Sequence, residues 1–425
     1  MYKNNFGILQ RLSDLQILKE KIILTLIIVL ISRLGIYIPI PGIDYENFYK
    51  MSSNNQVINF INIFAGGGFS TIGIFALGIV PYINASIIIQ LITPAIPFLE
   101  KLQKEEGDFG RQKINQITRY ITLIWSIIQS IGITFWLKKY CLEWNVLFIF
   151  QTIIILSTGS MLMMWFSELI TEKGLGNGSS ILIAVNIIAS LQKTSSIFKF
   201  NFETINYIQL FIFIILLISV LILIIYVQEA TRRIPIVSAK QLSRGVVNSY
   251  NNYLPLKLNQ SGIMPIIFAA SLTLIPVYLS QIIINDKISN LIMIFNNILF
   301  NNKIIYTLVY FTLIFFFSYF YTNVFFNINE ITENLKKMAV SIPGIRPGLR
   351  TKIYLKKILN RLTFLGASFL SFVAIIPSVM EAITKISLIK GIGATSLLIL
   401  IGVAIDIVKQ IRTYLLSKNY EHMIE

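Results

Sequence analysis

The sequence predicts an all-α membrane protein with ten transmembrane helices, and three features lead to this prediction. Hydrophobic residues make up 55% of the 425 residues and charged residues only 13%, whereas soluble domains carry about 25% charged residues. Windows of about 20 predominantly apolar residues, the length at which a helix crosses the hydrocarbon core, recur along the whole chain. Lys and Arg are concentrated in alternate loops, as is typical of multi-pass proteins.

The ten apolar windows define the predicted spans. They lie at residues 21–40, 74–97, 116–137, 147–168, 179–194, 206–228, 262–284, 304–326, 362–380 and 391–411. The fifth is short and contains Ser179, Ser180 and Asn186, whereas the sixth is nearly pure Ile, Leu and Phe. The apolar run of the first is too long for a cleaved signal peptide, and no small-residue cleavage site follows it.

The loop charges predict the orientation. The amino tail and the even-numbered connections hold 26 Lys and Arg, and the opposite side holds 9. Positive loops stay on the side of insertion, so both termini are predicted to be cytoplasmic, or stromal if the membrane belongs to a plastid. Ten spans then divide into two inverted five-helix halves, residues 1–194 and 195–425. The halves show no residue-level similarity, so this division rests on the span count.

The scarcity of reactive side chains disfavours several classes of protein. The single Cys141 forms no disulfide framework, and the single His422 leaves little material for a His-based metal or catalytic site. Within the spans, Arg33 is expected to snorkel outward and Asp406 to be solvated. A proton-coupled pump would carry buried acids or histidines at mid-membrane, and none is visible. We therefore expect neither an enzyme nor a cofactor.

Two glycine-rich segments interrupt the apolar pattern. Residues 57–71 are too few to cross a bilayer and include Gly66–Gly68, which bend or end a helix. A re-entrant segment and an interfacial helix followed by a loop are both compatible with them. The run Gly174–Gly178 lacks the Lys of a phosphate-binding loop, so we interpret it as a tight turn whose following Ser179 and Ser180 help to cap the next helix.

Two basic loops, residues 229–261 and 327–361, are candidates for partner binding. The first contains Arg232 and Arg233, and the second presents Arg346 between Pro-Gly pairs that stiffen the backbone. Arginine makes bidentate, charge-assisted contacts with RNA phosphates or acidic protein surfaces. Scattered lysines in these loops are more typical of contact with anionic lipid. For the stiff Arg346 tip the sequence favours a macromolecular partner.

Seven motifs distributed from the first span to the last resemble one family. They are IPIPGIDY at 38–45, FALGIVPYINASIIIQLI at 75–92, GLGNGSSI at 174–181, TRRIPIVSAKQ at 231–241, LPLKLNQSGIMPIIFAA at 254–270, IPGIRPGL at 342–349 and GATSLLILIGVAIDI at 393–407. With them the chain resembles the SecY family, the channel subunits of the Sec protein translocase. The loop beginning at residue 97 is most similar to the cyanobacterial and plastid branch.

The resemblance implies an hourglass channel closed at mid-membrane by a ring of aliphatic side chains and on the outer side by a re-entrant plug helix. The implied ring residues are Ile79, Ile83, Ile183, Ile187, Ile267 and Ile399. The implied plug is the segment 59–71, with Phe60, Ile63, Phe64, Gly66, Gly67 and Gly68. A lateral gate is also implied, with the second and third spans on one side and the seventh and eighth spans on the other. Asn259 and Gln260 would lie near its polar rim. The plug lacks the basic residue after its glycines that bacterial relatives often carry.

The resemblance also implies a function and a set of partners. The channel would pass unfolded precursor polypeptides across the membrane and release signal or transmembrane segments sideways into lipid. Arg232, Arg233 and Arg346 would dock the SecA ATPase, the ribosome or the signal-recognition machinery, and a SecE-like subunit, with a SecG-like subunit as a further candidate, would complete the complex. We expect a thylakoid membrane, with a bacterial inner membrane as the alternative. A solute transporter and an intramembrane protease are competing classes, but the midplane polar site and the paired aspartates that they need are not visible.

Overall fold

The chain is predominantly helical in the computed structural model. The structure describes residues 2–44, 48, 66–94, 96–105, 107–201, 207–238, 252–262, 264–269, 271–273, 303–384 and 394–424. The helices are α1 Tyr2–Ile36, α2 Gly68–Thr71, α3 Val80–Ile92, α4 Pro97–Glu105, α5 Gly107–Leu137, α6 Val146–Lys173, α7 Gly178–Asn201, α8 Tyr207–Glu229, α9 Lys303–Phe325, α10 Ile328–Lys337, α11 Leu349–Thr384 and α12 Ala394–Ile424. The strands are β1 Thr231–Pro235, β2 Val237–Ser238, β3 Tyr253–Lys257 and β4 Val340–Ser341.

Apolar helices occupy most of the predicted spans. Among the described residues, four stretches are long and apolar enough to cross a membrane, namely Gly107–Leu137, Val146–Lys173, Ile305–Lys337 and Leu349–Ile376. The same part of the chain contains four shorter apolar helices, Val80–Ile92, Gly178–Ser190, Ile215–Glu229 and Met264–Thr273. A mainly helical protein with several apolar helices is thus confirmed, and the count of ten spans stays a prediction.

The second predicted span is helical only from Val80, and its expected start at residue 74 is wrong. Residues 72–79 form successive turns, and the amide of Ile74 donates to the carbonyl oxygen of Ile38 at 3.0 Å. A Cβ on Gly73 would overlap the carbonyl oxygen of Ile36, at the end of α1. Non-helical backbone of this kind is tolerated at membrane depth only where it is buried in protein or lines a water-filled cavity.

The described residues divide into two compact units. The first comprises Met1–Ile205, Ser271–Leu299 and Ile386–Glu425, and the second comprises Asn206–Ala270 and Phe300–Lys385. In the first unit α5 packs against both α3 and α6, and α12 packs against α7. The predicted division at residue 194 stays a prediction, although the last helix packs with the amino-terminal part of the chain.

Hydroxyl side chains line the buried face of α5 and are paired within the helix, whereas both side-chain amide atoms of Gln129 on the same helix are buried with no hydrogen-bond partner among the described residues. Thr122, Ser130 and Thr134 are each buried and donate to carbonyl oxygens one turn earlier, at 2.7–2.8 Å. Such local bonds satisfy a hydroxyl inside an apolar bundle, so small residues can bring helices close together. Arg119 on α5 also forms a bidentate ion pair with Glu168 on α6, with both contacts at 2.9 Å.

In the second unit, parts of the two basic loops that were predicted separately, residues 229–261 and 327–361, pack together into one domain. Strands β1 and β3 pair antiparallel, and β2 pairs with β4, so residues 231–238 join residues 340–341. A hydrophobic cluster lies beneath them and consists of Ile234, Leu256, Leu335, Ile342, Leu355, Ile358, Leu359 and Leu362. We call this domain, made of β1 to β4, α10 and the first turns of α11 up to Leu362, the basic platform.

Candidate functional site

The predicted ring isoleucines are all buried. In the first unit Ile79 and Ile399 are fully enclosed, and the least enclosed of its five, Ile83, is 6% exposed. In the second unit Ile267 is 4% exposed. Side chains that faced lipid would be exposed in the isolated chain, as Ile154 is at 57%. Burial therefore contradicts the alternative that these isoleucines face the acyl chains, and it leaves both a ring and ordinary core packing open.

The start of α3 determines the positions of the predicted ring residues Ile79 and Ile83. Ile79 is the residue just before α3, with φ −91° and ψ −2°, and Pro81 occupies the first turn. Proline suits that position because its missing amide would be unpaired there. The amide of Ile83 donates to the carbonyl oxygen of Ile79 at 3.1 Å. The i to i+4 relation predicted for this pair is thus kept, although only Ile83 lies within the helix.

The glycines of the predicted plug form a buried turn in front of the four-residue helix α2. Gly66 and Gly67 have φ values of 63° and 85°, a region that favours glycine. The hydroxyl of Thr71 at the end of α2 donates to the carbonyl oxygen of Ile36 at 3.1 Å. This fixes one end of α2 to the end of α1. Phe60, Ile63 and Phe64 lie outside the described residues, and re-entry of the plug stays a prediction.

Arg33 points into the protein, so the expectation that it snorkels outward is wrong. Its Nη1 donates to the carbonyl oxygen of Gly66 at 3.1 Å, and its Nη2 donates to that of Val185 at 2.8 Å. Val185 lies on α7, between the predicted ring residues Ile183 and Ile187. One half-buried guanidinium therefore connects α1, the glycine turn and α7.

The GLGNG segment is the expected tight turn, but a different residue caps the helix. The Oδ1 atom of Asn177 accepts from the amide and the hydroxyl of Ser179, at 3.1 and 2.7 Å, so Asn177 is the cap rather than Ser179 or Ser180. The amide of Gly176 donates to Oε1 of Gln410 on α12 at 2.6 Å. This bond ties the start of α7 to the last helix.

The residues predicted near a lateral gate form a turn between β3 and the helix at 264–269. The Nδ2 of Asn259 donates to the carbonyl oxygen of Gly262 at 2.9 Å, and its Oδ1 accepts from the hydroxyl of Ser261 at 3.2 Å. Both amide atoms of Gln260 are buried, with no hydrogen-bond partner among the described residues. The assignment of these residues to a gate stays a prediction.

The predicted docking arginines all lie on the exposed surface of the basic platform. Arg232 and Arg233 lie on β1, and Arg346 lies at the tip of the loop after β4. Positive φ values of 78° at Gly344 and 101° at Gly348 shape that tip. The hydroxyl of Thr351 donates to the carbonyl oxygen of Arg346 at 3.0 Å, so the tip is held by the first turn of α11.

Tyr253, which no sequence motif indicated as a site residue, lies beneath one of these arginines. The guanidinium of Arg233 lies over the Tyr253 ring, 4.8 Å from its centre. In the sequence, Leu254 and Leu256 alternate with Tyr253, Pro255 and Lys257, which is the period-two pattern of a strand. That signal could have indicated β3, but the pairing with β1 that places the ring under Arg233 required the structure.

Comparisons with known proteins agree over most of the chain. The SecY family matches residues 73–408. The chain is 53% identical over 414 residues to the protein translocase subunit SecY of Guillardia theta, a match that covers 96% of this chain and 97% of that protein. It is 48% identical over 427 residues to the protein translocase subunit SecY of a Synechocystis strain, covering 96% and 94%.

Solved structures share the fold at low sequence identity. A protein-conducting channel superimposes with a TM-score of 0.64 at 17% identity and covers 94% of this chain and 93% of its own. Sec61 in the canine ribosome-channel complex superimposes with a TM-score of 0.60 at 18% identity, with the same coverage. These similarities show the fold of the chain.

Proposed function

The chain belongs to the SecY family, and from this premise we propose how it conducts polypeptides. It is a channel subunit of the protein translocase and not an enzyme. We propose that Ile79, Ile83, Ile183, Ile187, Ile267 and Ile399 form the constriction of the pore. A narrow apolar ring excludes water and ions by dewetting and offers a passing chain no hydrogen bonds.

The burial of all six isoleucines is the observation that carries the pore proposal. These residues are 6% exposed or less although they lie as far apart in the chain as Ile79 and Ile399. Lipid-facing positions on the same apolar helices are exposed, so enclosure is not a general property of isoleucine in this chain. A ring that closes around a strand must be built from residues sheltered from lipid.

The proposed channel has two further moving parts. The plug would be the segment 59–71, re-entering from the outer side and ending at the glycine turn and α2. The lateral gate would have the second and third spans on one side and the seventh and eighth spans on the other, and it would open near Asn259 and Gln260. A greasy signal segment would leave through this gate because its apolar surface is favoured in lipid by about 25 cal/mol per Å².

The basic platform is the proposed docking surface for the motor. The protein has no nucleotide-binding motif of its own, so directional work would come from SecA, or from a ribosome together with signal-recognition machinery. Arg232, Arg233 and Arg346 would contact this partner through charge-assisted hydrogen bonds. A SecE-like subunit, and a SecG-like subunit in addition, would complete the complex.

The proposed membrane is the plastid thylakoid, with both termini on the stromal side. Relatives from red algae, cryptophyte plastids and cyanobacteria support this location. The bacterial inner membrane is the alternative. Ten spans in two inverted halves, residues 1–194 and 195–425, complete the proposal.

Reconstitution tests the function as a whole. The chain is placed in proteoliposomes with a SecE-like subunit and supplied with SecA, ATP and a radiolabelled precursor. Protease-protected precursor that depends on ATP is the expected result. Saturable uptake of a small solute, with no precursor import, would instead support the solute transporter.

Crosslinking tests the ring. In a Cys141→Ser background, Cys is placed at Ile79 or at Ile267, and a precursor with single cysteines is stalled during import. Both positions are expected to form disulfides with the stalled chain. Leu156→Cys is the matched control, because Leu156 is also buried but belongs to a hydrophobic cluster that contains none of the proposed ring residues. Absence of adducts at Ile79 and Ile267 would contradict the ring.

A further inference from the structure

Arg33 forms an unusual bridge inside the first unit. Its guanidinium binds two backbone carbonyl oxygens that lie 33 and 152 residues away along the chain, those of Gly66 and Val185. Within the described residues no carboxylate forms an ion pair with it, and the ion pair found there joins Arg119 to Glu168. The charge of Arg33 is therefore compensated by main-chain oxygens, one of them on the glycine turn.

The turn fits closely around the guanidinium. A Cβ at Gly66 would lie 2.6 Å from Nη1 of Arg33 and 2.6 Å from Oδ1 of Asn186. Both distances are shorter than non-bonded atoms accept, so only glycine leaves room for this contact. Gly66 also has a φ of 63°, which independently disfavours a side chain. The sequence and the backbone thus agree in keeping the turn beside Arg33.

The bridge joins the glycine turn, which is the end of the proposed plug, to α7. If the plug leaves the pore, the turn at Gly66 must separate from α7. The Nη2 bond to Val185 can persist during that movement, whereas the Nη1 bond to Gly66 must break. A half-buried cation that loses a carbonyl partner is costly, because water has limited access to replace it.

We propose that Arg33 is a positioning residue that latches the glycine turn to α7 and so stabilises the closed channel. This inference rests on the proposed function, since it takes the turn as the end of the plug. The bond to Val185 orients the guanidinium, and the bond to Gly66 holds the turn.

The test uses the complete complex in proteoliposomes and measures ion leak without precursor, precursor import and thermal unfolding. Arg33→Gln removes the charge and the fork of donors, and its leak is expected to rise about tenfold, the consequence of one lost charge-assisted bond. Arg33→Lys keeps the charge but lacks the planar fork, so an intermediate leak is expected. Import is expected to stay near the wild-type value. The unfolding temperature is expected to fall, because the folded state loses both hydrogen bonds of Arg33, but to stay above the temperature of the leak assay.

Gly66→Ala tests the same contact from the other side. Its Cβ displaces the guanidinium while Arg33 remains, so it should reproduce the leak of Arg33→Gln, and the double variant should leak no more than either single variant. Gly107→Ala is the matched control, because Gly107 also has a positive φ, of 53°, but nothing lies within 4 Å of an added Cβ. Its leak should remain at the wild-type level.

Ile183→Asn places a polar side chain in the proposed ring and should let water and ions through. This variant shows whether a negative result concerns the Arg33 latch or the proposed channel. A leak in this variant together with wild-type tightness of Arg33→Gln would overturn the latch and leave the channel in place. Additive leaks of Arg33→Gln and Gly66→Ala would overturn it as well. Absence of precursor import by the wild-type complex would overturn the proposed function instead. Should Arg33→Gln fail to fold, Arg33→Lys and Gly66→Ala carry the test.

Discussion

Replacing Tyr253 by Ala removes the ring that supports Arg233 on the basic platform. The pairing of β1 with β3 places Arg233 opposite Pro255 and Tyr253 opposite Pro235, so the two side chains are diagonal neighbours. Their contact is a cation–π interaction of 4.8 Å between the guanidinium carbon and the ring centre. Without the ring, Arg233 is free to sample other rotamers before a partner binds.

The expected loss of SecA affinity follows from the exposure of the ring. Tyr253 is 43% exposed, so the contact is worth about 0.5–1 kcal/mol, the range for exposed cation–π pairs. Tyr253→Ala should therefore weaken SecA binding about two- to fivefold. Arg233→Ala also removes the proposed charged contact with SecA, and a loss of about tenfold or more is expected.

Binding is measured with purified SecA and the channel complex in nanodiscs of anionic lipid, at low and high salt. Tyr253→Phe keeps the aromatic face and should bind as the wild type does. Tyr226→Ala removes a 77% exposed tyrosine on α8 whose ring has no cation over it in the described part of the chain, and it should also be neutral. If Tyr253→Phe binds as weakly as Tyr253→Ala, the cation–π explanation is wrong. Wild-type affinity of Tyr253→Ala would show that the ring does not position Arg233.

Two further changes test the packing of the first unit. Gly178→Ala would drive a Cβ into the carbonyl oxygen of Ser167, so loss of folded complex on gel filtration is expected, whereas Gly107→Ala should cost only about 1 kcal/mol of folding free energy because its Cβ meets nothing. Burial raises the pKa of the Cys141 thiol, which also donates to the carbonyl oxygen of Leu137 at 3.1 Å. Iodoacetamide should alkylate Cys141 more slowly than a free thiol at pH 8, and the rate should level off at a higher pH. The folded protein favours the neutral thiol of Cys141. The stabilisation from this preference is therefore complete below the pKa that the thiol has in the unfolded chain, and it is lost as the pH rises through the higher pKa of the folded protein. Equal rates for the folded and the urea-unfolded protein would contradict this.

Periodicity and charge were sufficient to predict the helical class and the placement of most apolar helices. The glycine signals were also informative, because the φ values at Gly66 and Gly344 depend on local backbone sterics that a sequence displays directly. The predictions that were wrong concern features that depend on contacts between segments distant in the chain. The start of the second span was misplaced because residues 72–79 are as apolar as a helix, and only their contacts with the chain near Ile38 make them turns.

Arg33 shows why side-chain direction could not be inferred from the span that carries it. Its distance from the end of the helix allowed snorkelling, and that was the economical expectation for a lone cation. The carbonyl oxygens that it binds lie on segments far away in the chain, and nothing in the sequence near Arg33 indicates them. The basic platform was missed for the same reason, since its core joins Ile234 to Leu335 and Ile342.

The latch must hold the channel closed and still yield to a passing polypeptide, and the size of its contacts is compatible with both. The hydrogen bond from Arg33 to Gly66, which opening breaks, is worth about 1.5–3 kcal/mol because its donor is charged. Reversing a closed-to-open ratio from 99:1 to 1:99 takes about 5.5 kcal/mol of differential binding. At about 25 cal/mol per Å², a signal segment supplies this by burying roughly 220 Å² more apolar surface in the open state. Two or three large apolar side chains have that much surface, so a latch built on one arginine is strong enough to seal and weak enough to be released by the substrate.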